Sequence, residues 1–125
     1  MSEHSGPETT RLWRPVGQFE LDLIRDADWR AFPPRLEGQP IFYPVLNEGY
    51  AIQIARDWNP KDAASGFVGY VTMFDVESMY LERFERKVVG DESHEELWVP
   101  AEELEEFNSK IRGKIVVTHE FRGGR

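Results

Sequence analysis

Apolar and other residues alternate from Arg11 to Val16, which puts Leu12, Arg14 and Val16 on one face of a short strand and Trp13 on the other. The period then changes. Phe19, Leu23, Ile24 and Ala27 recur at helical spacing, predicting a helix over Gln18 to Ala27 with these residues as its apolar stripe. Trp29 to Phe32 reads as a second extended piece, stopped by Pro33-Pro34, and Arg35 to Gln39 as a loop. Ile41 to Val45 is apolar and aromatic but contains Pro44, so as a strand it belongs at an edge or bulges. The clearest helix runs from Asn47 to Trp58: Tyr50, Ala51, Ile54, Ala55 and Trp58 share one side, Asn47 is a good N-cap, and Glu48 stands in the first turn.

Phe67 to Val76 is long, β-branched and aromatic. Val68, Tyr70, Phe74 and Val76 share a face, which suits a central strand, and Gly69 marks a bulge or a close approach. A short helix over Glu77 to Phe84, an extended piece over Lys87 to Val89, and a surface loop over Asp91 to His94 follow. Glu95 to Val99 reads as a strand. Pro100 then opens a helix to about Asn108, and Lys114 to Phe121 is the last strand, with Ile115, Val117, His119 and Phe121 on one face. Strands without regular helical crossovers predict an α+β domain with three to four helices and a mixed, mainly antiparallel sheet. Residues 1–10 are polar and read as a flexible leader, 11–121 as one domain and 122–125 as a frayed tail.

Composition narrows the class. At 125 residues, 40% of them hydrophobic and 13% aromatic, the chain fills one core and needs no staple. It has no cysteine, no stretch of eighteen apolar residues and no export-signal pattern in MSEHSGPETT, so the expected location is cytoplasmic, without membrane contact. A net charge of −8 without a basic, aromatic-interleaved stripe argues against general nucleic-acid binding. A small anion remains compatible, because a few placed arginines can hold one in an acidic protein.

No Walker loop, GxGxxG or HExxH occurs, and His4, His94 and His119 lack partners at ligand spacing, so no metal is expected. Arg14, on an apolar strand face, must snorkel out, meet a carboxylate, or face a cleft whose ligand supplies acceptors. Glu95 and Glu96 open a strand, so one shares a face with Leu97 and Val99 and the other with Trp98; both could equally be solvated charges. Tyr43 or Tyr50 could wall a pocket for a planar ring, whereas Phe42 and Trp58 read as core.

The segments RPVGQFELDLI, RAFPPRLEGQPIFYPVLNEGYAIQIARDWN and HEELWVPAEELEEFN resemble those of small, mostly uncharacterised bacterial proteins labelled ADP-ribosylation/crystallin J1, over nearly all of Leu12 to Phe121. The Asp-rich metal motifs of the hydrolases under that label are missing. The layout more nearly resembles the ADP-ribosyltransferase fold, with a basic residue on the first strand, an aromatic strand leading into a helix, and a Glu on a later strand. That resemblance implies NAD as substrate and transfer of ADP-ribose to a protein or other acceptor. It assigns Arg14 to the ribose- or phosphate-anchoring position, Tyr43 or Tyr50 to ring stacking, and Glu96, with Glu95 as rival, to the catalytic carboxylate. The competing expectation is a non-catalytic protein-interaction module of the same fold, working through its aromatic cleft or its acidic helix 101–108.

Overall fold

The computed structural model describes residues 8–90 and 94–123. In chain order the elements are β1 (Thr9–Val16), α1 (Gln18–Asp26), β2 (Ile41–Phe42), α2 (Glu48–Asp57), β3 (Val68–Glu77), α3 (Ser78–Leu81), β4 (Glu85–Val88), β5 (Glu95–Pro100), α4 (Leu104–Ser109) and β6 (Ile111–Arg122). Single 3-10 turns occupy Asn59–Lys61, Ala63–Ser65 and Ala101–Glu103. The domain is α+β. Its strands form two antiparallel sheets, β1-β3-β6 and β2-β5-β4, rather than the one mixed sheet expected.

β3 is central because both its faces are apolar. On one face Val68, Tyr70, Phe74 and Val76 join the larger core; on the other Val71 is fully buried beneath α2. The larger core is knitted by Phe32, Phe42, Phe74 and Phe107, with ring centroids 4.8 to 6.3 Å apart and tilted or edge-on, the arrangement ring quadrupoles favour. α2 presents Ala51 and Ala55 to β3, and these small residues allow a close approach. A Cβ on Gly69 would lie 2.1 Å from the Ala55 carbonyl oxygen, so the expected glycine contact is with a helix and not a bulge. Asn47 caps α2 as expected, accepting from the Tyr50 N–H at 3.0 Å.

Several local expectations are corrected. Thr9 and Thr10 pair with Glu77 and Val76, so the domain starts before Arg11; residues 1–7 of the expected leader lie outside the described residues. At the other end Arg122 pairs with Val68 and the Gly123 N–H donates to Phe67, so the tail is held at least that far. Trp29 to Phe32 is not a strand. Asp28 and Trp29 have positive φ, and Phe32 is gripped by the Asn108 side chain, which both accepts from its N–H and donates to its carbonyl.

α1 turns a different stripe inward. Ile24 and Leu21 meet the core, while Phe19 and Leu23 stay more than half exposed. In β6 the pairing slips between Val71–His119 and Thr72–Val117, leaving Thr118 as an extra residue. The slip reverses the alternation, so Val117 faces the larger core and Phe121 packs with the group beneath α2. The strand also begins at Ile111, passing through Gly113 at φ +79° in a second irregularity. Pro100 ends β5 in extended conformation, paired with Ile41, so it stands just before the 3-10 turn Ala101–Glu103 that leads into α4 and not at the first helical position. Of the loop expected over Asp91 to His94, residues 91–93 lie outside the described residues.

The two sheets share the larger core, and their backbones are bridged through one residue. Val45 exchanges both backbone hydrogen bonds with Trp13 of β1, and it bridges Glu96 of β5 on its other side. Pro44 explains why this junction stays a bridge, since it has no N–H to continue a ladder. The seam brings the end of β1 beside the start of β5.

Candidate functional site

At that seam a cleft of about 370 Å³ is lined by Arg14, Tyr43, Val45, Ile54, Glu96 and Trp98 among others. Three of the five candidates singled out in the sequence, Arg14, Tyr43 and Glu96, thus reach one concavity. Each arrives for a local reason. Arg14 lies on the Leu12–Val16 face of β1, near its end; Tyr43 follows β2; Glu96 alternates with Leu97 and Val99, whose burial in the core turns Glu96 and Trp98 to the opposite face. Glu95 does not line the cleft, and its nearest cation is Arg86 at 4.0 Å.

Glu96 is held by two neutral donors. The Tyr50 hydroxyl donates to Oε2 at 2.6 Å and the Trp98 indole N–H to Oε1 at 3.0 Å. Both partners are neutral groups, so they fix the orientation of the carboxylate without adding a counter-charge. Burial, followed by the hydrogen bond to Glu96, raises the Tyr50 phenol well above its usual value, and it remains a donor through the neutral pH range. Tyr50 is therefore placed differently from the ring-stacking wall expected. Its ring is covered by His94, 4.3 Å away and nearly parallel, and its hydroxyl supports Glu96 from behind. Tyr43 and Trp98, packed edge-on at 5.9 Å, form the aromatic wall instead.

Arg14 is 8% exposed and meets a carboxylate. Its Nε and Nη2 donate to Glu20 at 2.7 and 3.0 Å, a two-pronged pair reaching back from the first turn of α1, and its guanidinium carbon lies 4.7 Å from the Phe42 ring centre. Of the three fates the sequence left open, the ion pair is the one adopted, at the cleft's edge.

Arg14 and Pro15 also line a second cleft of about 430 Å³, between α1 and residues 33–39. Besides Arg14 it is lined by Arg35, which the sequence placed in an ordinary loop. The Arg35 Nε donates to the Ile41 carbonyl at 3.0 Å, and no described carboxylate pairs with it. Burial, and then the positive charge of Arg14, push its pKa down, while Glu20 and Tyr43 oppose this. A guanidinium next to an apolar Pro-Pro turn was the available sequence signal; which loop it faced was not.

Phe42 is core, as expected, but Trp58 is 71% exposed at the end of α2. Among the described residues no three His, Asp or Glu side chains gather as metal ligands, and no helix is long and apolar enough to cross a membrane. Comparison with protein-family models, with curated proteins and with solved structures returned no match.

Proposed function

We propose that this chain is an ADP-ribosyltransferase-like domain that binds NAD in the cleft at the seam of its two sheets, with Glu96 as the carboxylate that acts on it. The observation that carries the reading is the convergence of Arg14, Tyr43 and Glu96, remote in sequence, on one hollow. The chemistry of the lining suits such a ligand. NAD joins a cationic planar ring to an anionic pyrophosphate, and here an aromatic wall with a carboxylate adjoins a region of guanidinium groups.

Cleaving the bond between nicotinamide and ribose develops positive charge on the sugar. A carboxylate locked in place beforehand stabilises that charge without having to reorganise. Tyr50 and Trp98 supply the locking, and Tyr43 offers a face to the leaving ring. Arg14, already paired with Glu20, contributes position more than free charge.

A melting and turnover experiment tests the reading. NAD at a hundred times its dissociation constant should stabilise the fold by about 2.7 kcal/mol. Glu96→Gln should keep the fold and the NAD-induced rise in Tm but lose nicotinamide release. No shift in Tm with NAD, or full nicotinamide release by Glu96→Gln, would overturn it.

One observation favours a second reading, a non-catalytic interaction module. Arg14 and both oxygens of Glu96 already have partners inside the protein, so the cleft is stable without a ligand. Under that reading NAD leaves the melting curve unmoved.

A further inference from the structure

The second cleft is more than an annex of the first. It holds two guanidinium groups, of Arg14 and Arg35, against one carboxylate, of Glu20, and so carries a local positive excess in a chain whose net charge is −8. The bidentate bond to Glu20 consumes Arg14's fork. Arg35 is different: only its Nε is engaged, by a backbone carbonyl that fixes the plane of the group, and its terminal amino groups have no acceptor among the described residues. A planar fork held at its base, with its outer edge unpaired, is the geometry that grips phosphate oxygens two at a time.

The rim of this cleft carries exposed apolar side chains. Phe19 and Leu23 of α1 are 61% and 52% exposed, and Leu36 across the cleft is 71% exposed. A flat apolar ligand group laid on this rim would recover the burial these side chains lack, with its anionic part reaching Arg35.

We infer that the cleft between α1 and residues 33–39 is a nucleoside-diphosphate subsite, in which Arg35 anchors the diphosphate and the Phe19–Leu23–Leu36 rim holds the base. Arg14, paired with Glu20, is the positioning residue beneath it. Because Arg14 and Pro15 line both clefts, the two hollows adjoin, and the inference draws on the NAD reading only in that a single dinucleotide could occupy both.

The test uses ADP, inorganic pyrophosphate and nicotinamide as separate probes, with affinities from calorimetry and locations from amide chemical-shift changes. ADP and pyrophosphate should bind, with shifts concentrated in α1 and residues 33–39, and ADP should bind more tightly because only it engages the rim. Arg35→Met should weaken ADP at least about tenfold, the value of one charge-assisted hydrogen bond. Arg35→Lys, which keeps the charge without the fork, should fall between parent and Met variant, and all three proteins should stay folded, the Met variant losing only about 4 °C of Tm with its bond to the Ile41 carbonyl. Equal ADP affinity in parent and Arg35→Met, or no ADP binding at millimolar concentration, overturns the subsite. Nicotinamide binding without ADP binding sinks the subsite while leaving the Glu96 cleft intact; ADP binding without nicotinamide binding keeps the subsite and sinks the NAD reading.

Discussion

Replacing Arg14 by Met keeps most of the side-chain volume beside Phe42 and removes the charge. The side chains of Arg14 and Glu20 are 10% and 21% exposed, so the change strands a carboxylate about four-fifths buried without its two donors. Breaking a fully buried pair costs about 3–5 kcal/mol. Glu20 keeps some water at the cleft mouth, which lowers the expected cost to about 2–3 kcal/mol. With an unfolding entropy of about 2.1 cal/mol/K per residue, a chain of 125 residues loses about 4 °C of Tm per kcal/mol, giving a fall of about 8–12 °C. Glu20→Met strands the guanidinium instead and should cost about as much. The double variant Arg14→Met/Glu20→Met leaves neither charge unpaired, and it should recover about 2 kcal/mol relative to the sum of the single changes. Urea unfolding of the four proteins at pH 7 measures this coupling. Single effects that add to within 0.5 kcal/mol would mean that the pair is solvent-compensated, and the reasoning that Arg14's charge is spent on Glu20 would be refuted.

Two further outcomes bear on the frame around the clefts. Gly69→Ala should cost about 3 kcal/mol, because its Cβ would meet the Ala55 carbonyl oxygen at 2.1 Å and the Asn59 Cβ at 2.7 Å, backbone and near-backbone atoms that cannot rotate away; a Tm within 2 °C of the parent would contradict the packing of α2 on β3. Burial first, then carboxylate neighbours, raise the phenols of Tyr50 and of Tyr80, the latter to about 12, so folding favours their neutral form. The stability they contribute is complete below the unfolded value near 10 and is lost as pH rises through the folded values. Thermal melts from pH 9 to 12 should therefore show a decline that Tyr50→Phe and Tyr80→Phe each make shallower, and an unaltered slope in both variants would count against it.

Much of the local structure was legible because it depends on neighbours in sequence. The α2 helix, its Asn47 cap, the placing of β3 at the centre of a sheet and the shared face of Leu12, Arg14 and Val16 all follow from periodicity and capping. So did the rule that one of Glu95 and Glu96 must face away from the core. Which one did not follow, since alternation fixes opposite faces but not which is buried; that required the β1-β3-β6 sheet to pack against Leu97 and Val99. The same limit explains α1. Phe19, Leu23 and Ile24 are equally apolar in the sequence, and only the position of β3 and Phe32 selects Ile24 for the interior.

The sequence by itself determined that this protein is an α+β domain with a dense aromatic core, a capped central helix and charges at the margins of two strands. The tertiary structure decided what those charges do. It gave Arg14 a carboxylate from the next helix, set Tyr50 and Trp98 against Glu96, and left Arg35 facing a cleft with its fork unpaired. The reason is physical: hydrophobic periodicity acts over a few residues and survives in the sequence, whereas the partner of a charge is chosen by which distant segments the core brings together, and burial makes that choice decisive.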